Sequence, residues 1–216
     1  CAGGLPILEG VEMGFTSTVL DAAVHRAAVA AAQFESELNA ADGKLGDGDT
    51  GIMLRRLFER LDAVSLPHDL GDAFKSLATA AAGATGSSLG TLLMTALLAA
   101  SHRLKGRSEV PWGELGAVML AARDAMLSRG GGALGDKTVI DSIDAVGRAI
   151  DGLDDEAEAK VRSQKAANQM LVEFRDRPCR LGRARMFGDR SKGIDDPGML
   201  AFTRLVEAVC GEVTSR

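Results

Sequence analysis

Of 216 residues none is tyrosine and one is tryptophan, and aromatics reach only 4%. Stacked rings therefore cannot fill the core, which must pack through Ala, Leu, Val and Met. Cysteine is equally scarce. Cys1, Cys179 and Cys210 show no CxxC spacing and no paired framework. That excludes a disulfide scaffold and points to a reduced, cytoplasmic setting. No run approaches the roughly 18 apolar residues that span a bilayer. The longest, Leu92–Ala100, is broken by Thr95 and followed by Ser101, His102 and Arg103. No membrane partner is expected. No signal-peptide pattern stands at the start, and the first residue is not Met. Either a leader or tag was removed, or the chain is one domain of a longer polypeptide. A formal charge of -5 excludes the basic face of a general nucleic-acid binder, though not a local cationic pocket.

Period-2 runs of β-branched residues are also missing, so no strand is expected. Helical spacing recurs instead. Leu20, Val24, Ala27, Ala31, Phe34 and Leu38 step by four and three. Leu115, Val118, Met119, Ala122 and Met126 share one face, as do Val139, Ile143, Val146 and Ile150. The reading is an all-α single domain of eight helices, over 17–40, 50–65, 69–82, 86–105, 111–128, 136–151, 155–176 and 196–213. Residues 1–15 read as a flexible or extended lead-in. Short connections favour antiparallel neighbours, in one bundle or closed helical barrel.

The connections carry the glycines and the chemistry. From Asn39 to Gly51 the chain reads Asn-Ala-Ala-Asp-Gly-Lys-Leu-Gly-Asp-Gly-Asp-Thr-Gly. Asp42, Asp47 and Asp49 thus fall within eight residues, separated by glycines that let the backbone turn and the carboxylates converge. Carboxylates are hard oxygen donors suited to magnesium, calcium or manganese. An EF-hand fits poorly, because Met53 holds the twelfth position, where that loop carries Glu. The bland reading is a solvated loop whose acids cap the next helix. The Asp-x4-Asp-x-Asp spacing favours the metal site.

Three further loops could meet phosphate. Residues 82–90 place Gly83, Ala84, Thr85 and Gly86 before an apolar helix, where backbone N–H groups point outward. This is not a Walker A loop, since no Gly-Lys-Ser/Thr follows at the required spacing. Residues 130–138 run from Gly130 through Gly135 into a helix, with Asp136 as its expected N-cap. Residues 182–193 join Arg183, Arg185, Arg190 and Lys192 to glycines and lead to Asp196-Pro197-Gly198. Arginine pairs with phosphate bidentately.

Four segments in this order resemble the nucleotide-binding (L) subunit of dihydroxyacetone kinases: 38–51, Gly-Ala-Thr-Gly at 83–86, Gly-Asp-Lys-Thr-Val-Ile-Asp at 135–141, and Gly-Arg-Ala at 182–184 with Asp-Pro-Gly at 196–198. The resemblance implies a barrel of eight antiparallel helices with the nucleotide site in the loops at one end. It implies that Asp42, Asp47 and Asp49 bind two magnesium ions bridging the phosphates of ATP or ADP. Thr50, Gly51, Ile52 and Met53 would lie along the nucleotide, and Ala84 and Thr85 would offer donors to phosphate. Gly130 and Val139 would border the base, while Arg183 and Asp196, Pro197 and Gly198 would close over the nucleotide. The sequence departs from the family pattern at Met53, Leu134, Val139 and Arg185.

The same resemblance assigns the sugar to a separate K subunit or domain, which holds dihydroxyacetone through a histidine. His25, His68 and His102 lie outside every motif here and are read as structural or exposed. In one family mode ATP is exchanged; in the other, bound ADP is rephosphorylated by a phosphotransferase-system protein. Thr50 resembles the first, and Gly-Asp-Arg-Ser-x-Gly at 188–193 the second; the reading leans to ATP. Two alternatives stand beside it. One is the nucleotide domain of a fatty-acid kinase, which shares Asp-Gly-Asp-Thr-Gly. The other is a non-catalytic regulatory binding module. A homodimer is left open.

Overall fold

The computed structural model describes residues 14–84 and 86–211. The expected lead-in therefore falls, for residues 1–13, outside the described residues. Phe15, by contrast, is held: β1 (Phe15–Thr16) pairs antiparallel with β2 (Glu109–Val110), Phe15 opposite Val110. Trp112 meets Phe15 edge-on at 5.9 Å. Two residues per strand are too few for a period-2 signal, which is why the sequence expectation of no strand fails here.

Among the described residues, everything else of regular structure is helical. The chain forms α1 (Ser17–Gln33), α2 (Glu35–Asp42), α3 (Thr50–Asp62), α4 (Leu70–Ala82), α5 (Ser88–Leu104), α6 (Leu115–Gly130), α7 (Val139–Ile150), α8 (Glu156–Phe174) and α9 (Pro197–Cys210). Short 3-10 stretches cover Trp112–Glu114 and Arg183–Ser191. Each expected helix is present. The one expected over 17–40 bends at Phe34 (φ -94°, ψ 5°) into α1 and α2. Arg204 of α9 lies over the Phe34 ring at 5.5 Å and pairs with Glu37 at 2.7 Å.

Side-chain caps set most starts. Thr16, Asp69, Ser87, Asp155 and Asp196 each accept a backbone N–H from the first turn of α1, α4, α5, α8 and α9. The expected cap of α7, Asp136, is displaced by Thr138, which forms a capping box with Asp141; Asp136 instead accepts from Ala133 N at 2.8 Å.

From α3 onward, consecutive helices pack side by side, and α9 packs on both α8 and α1. The predicted apolar stripes face inward: Leu20, Ala27, Ala31 and Leu38 of α1–α2 and Val139, Ile143, Val146 and Ile150 of α7 are buried. The main cluster joins α1–α5 to Met199, Leu200 and Ala201 of α9. Small residues allow close approach. A Cβ on Gly116 of α6 would stand 2.3 Å from the Asp151 Cα, and one on Gly71 of α4 would stand 2.5 Å from the Lys105 Cα.

Candidate nucleotide and metal site

The turn between α2 and α3 is folded around one buried carboxylate. Asp42, 8% exposed, closes α2. Its Oδ2 accepts the N–H groups of Gly48 (2.9 Å), Asp49 (3.0 Å) and Thr50 (3.3 Å). Its Oδ1 lies against Gly46, where a Cβ would approach it to 2.3 Å. Gly48 takes φ +80°, a conformation that a side chain strains. One turn back on α2, Asn39 Oδ1 accepts Gly51 N (2.8 Å) and Ile52 N (3.2 Å). The two side chains thus bind the turn and the first N–H groups of α3.

This loop brings Asp42, Asp47 and Asp49 together: one oxygen from each lies within 4.8 Å of the others. Asp49 occupies the N-cap position of α3 but makes no side-chain cap bond, so the capping role weighed from the sequence does not hold for it. Burial, with the charges of Asp47 and Asp42, pushes its carboxyl above the usual range. Arg183 reaches across from the 3-10 segment to pair with Asp47. That guanidinium holds the Asp47 carboxyl below its ordinary value. Three hard carboxylates on one point, one of them fixed by backbone N–H groups, fit a divalent cation that prefers oxygen. Beside them a cavity of about 410 Å3 is lined by Leu45, Gly46, Asp47, Arg183, Met186, Phe187 and Arg190.

The start of α3 is internally bonded. The N–H groups of Thr50, Gly51, Ile52 and Met53 are all committed, to Asp42, Asn39 and the Asp49 carbonyl. Any contact of these residues with a nucleotide falls to the Thr50 hydroxyl and to side-chain surface.

A second group forms where α5, α7 and α9 begin. A Cβ on Gly198 would lie 3.5 Å from Val139 Cβ and 3.8 Å from Leu89 Cδ1. A Cβ on Gly130 would lie 3.5 Å from Leu92 Cδ2. Leu89 and Leu92 pack on the cluster of Met126, Val139, Ile140 and Ile143. Gly130, Val139 and Gly198 therefore share one apolar surface. Pro197 is buried at the first turn of α9. Burial pushes the Asp196 carboxyl up to about 6, against the pull of the Met199 and Gly198 N–H groups. Ala84 packs on the main cluster, and Arg60 of α3 donates to the Gly83 carbonyl at 2.7 Å. Thr85 lies outside the described residues.

Two residues that shape these loops escaped the sequence reading. Asn39 stands three before Asp42, a helical spacing that places both on one face and could have signalled it. Lys137 is 1% exposed and takes φ +63°. Nothing in its local sequence marks it as buried. The histidines are exposed, and His25 pairs with Asp62 at 3.2 Å at the opposite end of α3.

Comparison with known proteins gives the family. A family model described as the DAK2 domain matches residues 44–211. L-erythrulose 1-kinase of Mycolicibacterium smegmatis is 30% identical over 191 residues, covering 83% of this chain and 33% of its own length. The ADP-binding subunit DhaL of PEP-dependent dihydroxyacetone kinase 1 from Listeria innocua is 33% identical over 174 residues, covering 78% of this chain and 82% of its own. The crystal structure of the dihydroxyacetone kinase of C. freundii superposes with a TM-score of 0.72 at 21% identity, over 97% of this chain and 37% of that one. Its complex with AMP-PNP and Mg2+ gives 0.68 at 22% identity. The chain thus spans about a third of the erythrulose kinase and most of a DhaL subunit. It belongs to the DAK2 domain family and is a DhaL-like domain.

Proposed function

We propose that this chain binds ADP or ATP with magnesium and serves as the phosphoryl-donor part of a short-ketose kinase. A separate K subunit or domain holds the sugar. The observation that carries this reading is the convergence of Asp42, Asp47 and Asp49 beneath Arg183, a residue 136 positions away from Asp47. Asp42, Asp47 and Asp49 would hold the metal, for which the resemblance implies two ions. Bound there, magnesium neutralises phosphate charge as a Lewis acid. The chain's own contribution is positioning: Arg183 offers a planar fork of donors to the phosphates. Gly130 and Val139 offer an apolar border to the base, and the Asp196-Pro197-Gly198 turn would close over the nucleotide.

The relatives support the substrate class, since one acts on L-erythrulose and another is an ADP-binding subunit of a dihydroxyacetone kinase. With α1 and α2 counted as one bent helix, the fold reads as a barrel of eight antiparallel helices in a single domain. The unpaired thiols Cys179 and Cys210 suit a reducing, cytoplasmic setting.

Calorimetric titration with ADP, with and without magnesium, beside Asp47→Ala tests the site. Binding is expected to need both magnesium and Asp47. Binding indifferent to both overturns the reading.

A further inference from the structure

Lys137 sits in a cage of backbone oxygens. Its Nζ donates to the carbonyls of Arg175 (2.9 Å), Arg177 (2.9 Å), Ser191 (2.9 Å) and Ile194 (2.7 Å). The first two carbonyls precede the 3-10 segment 183–191 and the last two follow from its end. An ammonium has three protons, so one of them is shared between two of the four acceptors. A buried lysine with no carboxylate on its Nζ is uncommon, because an unpaired cation in the interior is costly. Here the four carbonyl dipoles replace its water. The residue even takes a left-handed backbone conformation at φ +63° to reach them.

Neighbouring bonds close the same loop. Cys179 N donates to Ser191 Oγ at 2.8 Å, Gly193 N to Arg175 O at 2.9 Å, and Arg180 N to Asp136 O at 3.0 Å. Arg175 pairs with Asp195 at 2.8 Å. The chain from 175 to 194 is thus an excursion drawn shut at its base by one side chain from the entry of α7. Arg183 is carried on that excursion, exposed along most of its side chain, and still lands on Asp47.

We propose that Lys137 is a positioning residue: by gathering the four carbonyls it sets where Arg183 stands over the acidic loop, and so sets nucleotide affinity without touching the nucleotide. The inference rests on the reading of Arg183 as a phosphate ligand. It separates Lys137 from a plain core residue, because its effect on binding must run through Arg183.

The test is a double-mutant cycle on the full chain, with Lys137→Met, Arg183→Ala and the pair, titrated with ADP and magnesium. Lys137→Met is expected to weaken ADP binding roughly tenfold or more, the scale of a lost charge-assisted hydrogen bond. The same substitution in the Arg183→Ala background is expected to change little. Manganese binding without nucleotide should not weaken, since Asp42, Asp47 and Asp49 stay in place and Asp47 loses only a competing cation. Amide hydrogen exchange should quicken across 177–194 and leave α1, α3 and α7 protected. Additive losses in the two backgrounds, or unchanged exchange across 177–194, overturn the proposal. If Lys137→Met does not fold, Lys137→Gln, which keeps two donors, takes its place; failure of both to fold would make Lys137 a folding residue and overturn it too. A wild-type chain that binds no ADP would sink the functional reading, while the exchange result would still decide whether Lys137 holds the segment.

Discussion

At the scale of the residue, the site depends on side chains that serve backbone. Asp42 spends one oxygen on three N–H groups, and Asn39 spends its amide oxygen on two more. These bonds turn a glycine-rich stretch, costly to order, into a fixed loop. They also leave Asp47 and Asp49 to point outward. Asn39→Ala removes the acceptor for Gly51 and Ile52 and leaves two partly enclosed donors unmet. The expected loss is about 1–3 kcal/mol of unfolding free energy. Urea denaturation of the magnesium-free chain measures it without involving the ligand. A loss within experimental error would mean that water replaces Asn39 freely and that the α3 start is not held by it. Asn39→Asp keeps the acceptor and should retain most of the stability.

At the scale of the element, the closest approach near the site is between α2 and α3. A Cβ on Gly51 would stand 2.1 Å from the Glu35 carbonyl oxygen and 2.8 Å from Asn39 Oδ1. The first is rigid helix backbone, so α3 must shift to admit it. Gly51→Ala should cost about 1–3 kcal/mol as an overpacking change and lower the thermal midpoint. Gly83→Ala is the matched control. Its backbone is right-handed (φ -81°, ψ -8°), and its nearest neighbour to an added Cβ is 3.7 Å away. It should be neutral or slightly stabilising, because alanine restricts the unfolded chain. Equal effects at the two positions would contradict the packing described for α2 and α3.

The contrast also shows what the sequence could and could not disclose. Long helices with apolar stripes, such as α7, were legible because one face repeats every three to four residues. The three acids were legible because glycines between carboxylates are an unusual pattern. The bend at Phe34 was not, since the stripe from Leu20 to Leu38 runs through it without a break and no glycine or proline marks it. The β1–β2 pair was too short to read. Lys137 looked like one more charge in a polar loop; its burial is decided by carbonyls some 38 to 57 positions away, which no local window contains. The capping of α7 was missed by two residues for a related reason. Asp136 and Thr138 are both good caps, and the choice falls to Thr138 because Asp141 completes the box.

At the scale of the whole molecule, the proposed nucleotide site is assembled from distant parts of the chain. The acidic loop, Arg183 and the apolar border at Gly130, Val139 and Gly198 draw on α2, α3, α6, α7, α9 and the 3-10 segment. His25, His68 and His102 are exposed, and His25 is paired with Asp62 where α3 ends, far along the helix from the acids where it begins. The cavity beside Asp47 is bordered by Met186, which is 80% exposed. Phosphoryl transfer gains most of its rate from holding donor and acceptor in line. A chain that holds only the donor should bind nucleotide and transfer slowly. Mixed with ATP, magnesium and dihydroxyacetone, it should therefore release ADP near the uncatalysed rate. Addition of a sugar-binding K-type subunit should raise turnover by about 100-fold or more, the scale of a gained reactant orientation. A coupled assay for ADP measures both. Brisk turnover by the chain alone would place a sugar site within it, and the division of labour between two proteins would have to be abandoned even if the nucleotide site stood.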